Sequence, residues 1–217
     1  MRERGEAVRI DARMDPKQLK KLTKALDDAP NECRKGLVSA INRSVKSVNT
    51  ATQKAVTERY KIKKSDLNGG KRFKGESSNN IIKPIFASES DLRAALDVRG
   101  SRLAYVAERG MISPRAPKSH KGKTMKQIKR LAFPTVQPIR GQRTRFPHGF
   151  IIEGKGGVVG LFTRGKKSHP VEMRHTLSPA NMVRYPDIVR VTQKTAREAL
   201  EKNVAHEIEY RLGRLAK

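Results

Sequence analysis

Three side chains that can ligate metals recur at intervals of three residues near the end of the chain: His169, Glu172 and His175. On a helix, this spacing would bring two imidazoles and a carboxylate close enough to hold a zinc ion. Pro170 disfavours a helix that continues through the stretch, and the residue order differs from the HExxH pattern of zinc proteases. We therefore predict no metal site here, and no feature of the sequence calls for a cofactor.

Neither the glycine-rich segment nor the single cysteine predicts catalysis. Residues 154–157, Gly-Lys-Gly-Gly, lack the Gly-Lys-Ser/Thr ending of a P-loop, and they lie between two apolar segments that resemble strands. A β-hairpin turn explains them better. Cys33 lies on the apolar face of a helical pattern, where a buried, inert thiol is expected, and no His flanks it as a base. The sequence therefore predicts a protein that is not an enzyme.

A large positive charge is the main chemical feature of the chain. Its 217 residues include 48 Lys and Arg against 21 Asp and Glu, which gives a net charge of +27. Residues 109–152 hold eleven basic residues and no acidic residue, and prolines and glycines interrupt the stretch. This excess predicts an anionic partner. Because the charges repel one another, we expect the basic arm, about residues 109–145, to be mobile until it meets that partner.

We expect nine side chains of the basic arm to contact DNA or an acidic protein surface. They are Lys118, Lys121, Lys123, Lys126, Lys129, Arg130, Arg140, Arg143 and Arg145. Phe133 and Phe146 are not interleaved regularly with these charges, so stacking on bases is not indicated. The chain has no helix-turn-helix, zinc-finger or RNP pattern, so any DNA contact should be independent of base sequence.

The composition also bears on the compartment and on the core. No run of 18 apolar residues and no apolar leader occurs, which predicts neither a transmembrane span nor a secretory signal. A single cysteine cannot form an intramolecular disulfide and indicates a reducing compartment. With no Trp and 5% aromatic residues, the core must consist mainly of Leu, Ile, Val and Ala.

Hydrophobic periodicity predicts the helices that would carry these residues. Residues 8–12 alternate as a short strand, and an Asp-Pro pair then begins a short helix over 15–26. From residue 31 to residue 60, apolar residues recur every three or four positions, which predicts one helix of about 30 residues. A second long amphipathic helix is predicted over 187–213, after a helical turn at 178–184.

Three segments alternate with a period of two and predict strands: 92–98, 149–153 and 158–163. The last two flank the glycine-rich turn as a hairpin. Two amphipathic helices at opposite ends of the chain need a common sheet to cover. We therefore predict a single α+β domain over residues 1–217, with an antiparallel sheet covered by a long N-terminal helix and a C-terminal helix, and the basic arm as a loop.

Several short motifs follow one another over most of the chain. They are Ala40-Ile41-Asn42-Arg43, Tyr60-Lys61-Ile62-Lys63, Phe146-Pro147-His148-Gly149-Phe150-Ile151, Phe162-Thr163-Arg164-Gly165-Lys166, Pro170-Val171 and Leu177-Ser178-Pro179. In this order they resemble the minor tail protein Z, or tail completion, family of long-tailed bacteriophages. The residues that the resemblance marks as structural are Asn42, Arg43, Tyr60, Pro147, Gly149, Phe150 and Pro179. The chain departs from the family at His148-Gly149, which inverts the usual small pair, and at residues 110–130, which look longer and more basic.

The resemblance implies a structural virion protein without catalysis, which completes the head-proximal end of a tail and helps join it to the DNA-filled head. It further implies a homo-oligomer, a ring of six copies between the tail terminator and the head-tail connector, around the DNA channel. Positive side chains that face this channel would meet the phosphates of packaged DNA without base preference. Such a protein is made in the host cytoplasm, ends in the tail neck of the virion and has no membrane partner.

The charge alone leaves one alternative open, a free-standing basic nucleic-acid-binding protein associated with ribosomes or the nucleoid. A protein of that kind should bind duplex DNA or RNA tightly in isolation, with an affinity that falls steeply as salt rises. A tail completion protein should instead bind DNA weakly by itself and find its place through protein contacts. The DNA affinity of the isolated protein therefore distinguishes the two.

Overall fold

The computed structural model of the chain describes residues 30–69, 81–112, 134–146, 148–153, 159–164 and 171–215. Its helices and strands are α1 (Pro30–Arg59), β1 (Ile81–Ile85), β2 (Ala95–Arg99), β3 (Thr135–Val136), β4 (Thr144–Arg145), β5 (Gly149–Glu153), β6 (Val159–Arg164), β7 (Val171–Met173), α2 (Pro179–Val183) and α3 (Pro186–Leu215). Long helices combined with small antiparallel sheets confirm the α+β class.

The chain divides into two compact units. The first contains α1 as far as Val56, the strands β1 and β2, residues of α2 from Ala180 onward, and α3. The second contains the end of α1 and residues 57–80, together with residues 100–179. Whether the chain is a single folding domain stays a prediction, because two compact units can still fold cooperatively.

In the first unit, α1 and α3 run antiparallel and pack through small and aliphatic side chains. Leu37 and Ala40 near the start of α1 form a buried cluster with Val204 near the end of α3. Further along α1, the hydroxyl of Thr52 lies 3.0 Å from the hydroxyl of Thr192, near the start of α3. These contacts run in opposite directions along the two helices, so the apolar faces predicted from the sequence do bury one another.

Strands β1 and β2 form a separate antiparallel ladder in the first unit, with Ile81 opposite Arg99 and Ile85 opposite Ala95. Pro84 lies within β1 and cannot donate a ladder hydrogen bond, which a two-stranded sheet tolerates because each strand has an outer edge. The side chain of Gln53 on α1 donates to the carbonyl of Ile82 over 3.1 Å and ties the ladder to the helix.

The second unit contains the other two sheets. Strands β3 and β4 pair over two residues each, and β5, β6 and β7 form a three-stranded antiparallel sheet in that order. The segment 103–106 extends this sheet, because the N–H of Leu161 in β6 donates to the carbonyl of Tyr105 and Val106 bridges Gly160. The core of this unit includes Leu103, Val106 and Leu161, all fully buried.

The structure confirms both predicted long helices and the pairing of 149–153 with the strand predicted over 158–163. One expectation was wrong: 92–98 does not share a sheet with those strands. Its strand begins at residue 95 and pairs with residues 81–85, for which the sequence predicted no strand. The predicted strand at 8–12, the helix at 15–26 and the turn at 154–157 lie outside the described residues.

Candidate functional site

A continuous exposed stretch of the second unit carries three arginines and no acid. Residues 140–145 read Arg-Gly-Gln-Arg-Thr-Arg, and every one of the six is exposed. We call them the arginine loop. Gly141 lies within it at a φ of +84°, a left-handed conformation that favours glycine. The loop therefore offers guanidinium groups of Arg140, Arg143 and Arg145 to solvent on a tight turn.

The end of α1 holds one side of the arginine loop in place. The backbone N–H of Arg140 donates to the carbonyl of Arg59 over 2.9 Å, and Lys61 donates from its N–H to the carbonyl of Pro138 over 2.8 Å. The Nε of Arg140 also donates to the carbonyl of Thr57 over 3.1 Å. A cation on the last carbonyls of a helix complements the negative end of the helix dipole. Part of the Arg140 guanidinium therefore stabilises the helix end.

The other side of the arginine loop is held by strand pairing. Thr135 pairs with Arg145, and Val136 pairs with Thr144. Val136 is fully buried and also bridges Ile112, so the short ladder is anchored in the core of the unit. Its loop is consequently displayed from a fixed base on both sides.

The structure describes three of the nine side chains predicted to contact DNA or an acidic surface. Arg140, Arg143 and Arg145 all lie in the arginine loop. The other six fall in 113–133, outside the described residues: Lys118, Lys121, Lys123, Lys126, Lys129 and Arg130. Contact with DNA, and mobility of the arm, therefore stay predictions. The strands that fix the loop were not predicted, although Pro138 and Gly141 between two Thr-containing segments are a hairpin signal.

Arg109, at the start of the predicted arm, is not available to a partner. Its side chain is 2% exposed, and its Nε lies 3.0 Å from the Oδ1 of Asp66. Its NH1 group donates to the carbonyl of Ala104 over 3.1 Å. The other carboxylate oxygen of Asp66 accepts the backbone N–H of Lys63 over 2.9 Å. This buried ion pair joins residues 43 positions apart, and no local signal in the sequence indicates it.

The motif residue Asn42 substitutes for a strand partner in the first unit. Its Nδ2 donates to the carbonyl of Ala87 over 3.0 Å, and its Oδ1 accepts the N–H of Ala87 over 2.7 Å. Ala87 is buried two residues after β1, and without Asn42 its backbone N–H and carbonyl would have no water to bond to in place of a protein partner. Asn42 therefore ties the segment that follows β1 to α1.

The neighbouring Arg43 contacts a buried carboxylate on α3. Its NH1 lies 3.0 Å from the Oε1 of Glu207, whose side chain is 7% exposed. Glu207 also accepts the hydroxyl of Ser39 over 3.0 Å and the Nε of Arg211 over 3.4 Å. Three donors offset the cost of burying this carboxylate and fix the pairing of α1 with α3.

Four of the remaining motif residues are described, and they lie in the second unit. Tyr60 is 2% exposed and bridges Ile139, below the arginine loop. Gly149 is the first residue of β5 and lies close to Leu161, because a Cβ at Gly149 would be 2.9 Å from a methyl of Leu161.

Phe150 and Pro179 also have identifiable contacts or positions. The guanidinium of Arg164 lies over the ring of Phe150, 5.2 Å from the ring centroid. Pro179 is the first residue of α2, where proline suits the helix start. Pro147 lies outside the described residues.

Glu172 and His175, two of the three residues considered for a metal site, do not lie in a helix. Glu172 lies in β7, and His175 pairs with Ala104 in an extended bridge. His169 is outside the described residues. In the described part of the chain, no group of three His, Cys, Asp or Glu side chains is close enough together to hold a metal ion.

Comparison with known families shows to which family the chain belongs. The family model described as prophage minor tail protein Z matches residues 17–217, almost the whole chain. The chain belongs to this family. No curated protein and no solved structure matched it. Membership makes the chain a structural component of a bacteriophage tail and hence of the virion, associated with other virion proteins. Among the described residues, no helix is both long and apolar enough to cross a bilayer.

Proposed function

We propose that this minor tail protein completes the head-proximal end of the tail and joins it to the DNA-filled head, without catalysing a reaction. In this proposal, several copies form a ring at the neck, between the tail terminator and the head-tail connector. The family match supports the tail assignment, and the arginine loop supports the position next to DNA.

The arginine loop is the observation that carries this proposal. Phosphates attract cations wherever they lie along the duplex, and most protein contacts to the backbone carry no sequence information. Arg143 and Arg145 are exposed and next to no acidic residue in sequence. The backbone of Arg145 is fixed by the β3–β4 ladder, and Arg143 directly precedes that ladder. A cationic loop that is held at both ends suits a channel that must hold DNA of any sequence.

A complementation experiment tests the neck assignment. Phage lacking the gene for this chain are grown in cells that supply either the natural protein or the variant Arg143→Glu/Arg145→Glu. Without the protein, electron microscopy should show nearly complete tails that fail to yield infectious particles. The variant should enter particles yet lower the infectious yield about tenfold or more, because reversed charges repel the phosphates.

The matched control reverses two exposed arginines of α3, Arg190→Glu/Arg197→Glu, and should leave the yield almost unchanged. Full infectivity of phage without the protein would refute the proposal, and so would its absence from purified virions. A free-standing nucleic-acid-binding protein would instead be missing from virions and would bind duplex DNA tightly as an isolated chain.

A further inference from the structure

The second unit contains a cleft of about 330 Å³, and one of its lining residues, Phe146, directly follows the arginine loop in the sequence. Six side chains that line it carry aromatic, hydroxyl or cationic groups: Tyr105, Phe146, His148, Thr163, Arg174 and His175. Neither the family match nor the proposed role at the neck assigns this cleft. Its volume is near the lower end for ligand pockets, which suits one or two side chains of a partner.

Arg174 is the most firmly held cation of the cleft. Its N–H donates to the carbonyl of Leu161 over 2.8 Å, and its carbonyl accepts the N–H of Tyr105 over 3.0 Å. Its Nε donates to the hydroxyl of Thr163 over 2.6 Å, while the residue as a whole remains exposed. Backbone and side chain are therefore fixed before a ligand arrives. A fixed guanidinium loses little side-chain entropy when it binds a carboxylate.

Aromatic rings form the apolar wall of the cleft. Tyr105 and Phe146 pack edge to face, with ring centroids 5.9 Å apart and planes at 61°. Tyr105 is 9% exposed, so little of its ring is open to stacking on a base, and a partner side chain can contact it only at its small exposed part. The absence of a side chain at Gly149 permits this close packing, since a Cβ would lie 3.0 Å from the Cβ of Phe146. The wall suits insertion of an apolar side chain.

A second cavity, of about 430 Å³, shares Arg174 and His175 with the cleft. It adds the exposed Arg102, the partly buried Met173 and one acid, Glu172. The two cavities share part of their lining and together contain two arginines against one carboxylate. An extended segment with negative charge beside apolar residues would match both the shape and the chemistry.

We propose that this cleft binds an acidic peptide segment of a partner protein, with a carboxylate on Arg174 and an aromatic or aliphatic side chain against Tyr105 and Phe146. The two arginines of the cavities, against one carboxylate, favour an acidic segment, and such segments are scarce in a chain with 48 basic and 21 acidic residues. The enclosed aromatic pair disfavours single-stranded nucleic acid. This assignment goes beyond the proposed function, because it gives a protein partner to a site distinct from the arginine loop.

The test uses the full chain and three fluorescein-labelled probes. The first is a twelve-residue peptide in which Asp or Glu alternates with Phe, the second has the same sequence with Asn and Gln, and the third is a thymidine oligonucleotide of twelve nucleotides. Fluorescence anisotropy measures each affinity at 0.15 M salt. The acidic peptide should bind about tenfold or more tightly than its amide counterpart, since charged hydrogen bonds are stronger than neutral ones.

Two single substitutions of equal charge separate the cleft from general attraction. Arg174→Gln should weaken binding of the acidic peptide about tenfold, whereas Arg164→Gln, outside the cleft, should leave it within about twofold. Circular dichroism checks that both variants keep the fold. Arg143→Gln should weaken the oligonucleotide but not the peptide.

The proposal would be overturned by equal binding of the acidic and amide peptides, or by equal effects of Arg174→Gln and Arg164→Gln. If Arg174→Gln weakens the oligonucleotide as much as the peptide, the cleft is a nucleic-acid site and the peptide assignment fails. Each of these outcomes is independent of phage infectivity, so failure here is distinguishable from failure of the neck assignment.

Discussion

Buried polar side chains in this protein hold distant segments in place by satisfying backbone and charged groups. Asn42 supplies both a donor and an acceptor to Ala87, as a neighbouring strand would. Asp66 accepts Arg109 on one oxygen and the N–H of Lys63 on the other. Each group left without its partner would retain the cost of its removal from water. Single substitutions at such positions should therefore cost more than their contact geometry alone suggests.

The Arg109–Asp66 pair allows a direct test at this scale. Arg109→Leu should lower the free energy of unfolding by about 3 to 5 kcal/mol, because it leaves the Asp66 carboxylate buried without its cation. Urea unfolding followed by circular dichroism measures the change. The control, Arg190→Leu, removes an exposed ion pair with Asp187 and should cost less than about 1 kcal/mol. Similar losses in both variants would show that burial of the pair is unimportant.

At the scale of elements, the contact between α1 and α3 depends on residues at every fourth position of α1, most of them small. Gly36, Ala40, Ser44, Val48 and Thr52 follow one ridge of the helix. A Cβ on Gly36 would lie 2.8 Å from the side chain of Arg211, and Ala40 is fully buried. Ridges of residues four apart interlock with grooves on a second helix, and small side chains let the two backbones approach closely.

Enlarging one member of this ridge should separate the helices. Ala40→Leu adds three carbons where no space remains, and we expect it to lower the free energy of unfolding by about 1 to 3 kcal/mol. Thermal and urea unfolding measure the loss. Ser47→Leu makes a similar change on the exposed side of the same helix and should have an effect below about 0.5 kcal/mol. Equal effects of the two substitutions would argue against the packing of α1 on α3.

The sequence predicted the elements whose signal is local. The periodicity of α1 extends over about eight turns, and its ends at Pro30 and Arg59 differ little from those expected. β1 was not predicted, because Pro84 interrupts this five-residue strand. Since β1 was not recognised, the predicted sheet partners of β2 were wrong. The charge of the basic arm was readable, but the engagement of Arg109 by Asp66 depends on a contact between distant residues. For the candidate site, composition indicated that the partner is negatively charged. It could not indicate which basic side chains are exposed and free of internal ion pairs such as that of Arg109 with Asp66.

At the scale of the whole molecule, three of the acids are used internally. Asp66, Asp97 and Glu207 are buried, and each contacts an arginine of the same chain. Those carboxylates consequently do little to neutralise the exposed cations of the arginine loop. The chain has a net charge of +27. When its Lys and Arg side chains bind DNA, they replace the cations that are condensed on the phosphates, and those cations are released into solution.

The last prediction follows from this release of counterions. The logarithm of the DNA affinity should fall linearly with the logarithm of salt concentration, with a slope of about −0.9 for each phosphate neutralised. If Arg143 and Arg145 each meet one phosphate, Arg143→Gln/Arg145→Gln should reduce the magnitude of that slope by about 1.8. Arg140 is left unchanged in this test, because its Nε also stabilises the end of α1. Fluorescence anisotropy with a labelled duplex of 20 base pairs, titrated at several salt concentrations, measures the slope.

The control variant Arg190→Gln/Arg197→Gln removes the same charge from α3 and should change only the overall attraction, with almost the same slope as the natural protein. Equal slopes for the natural protein and the loop variant would show that the arginine loop does not contact the phosphates.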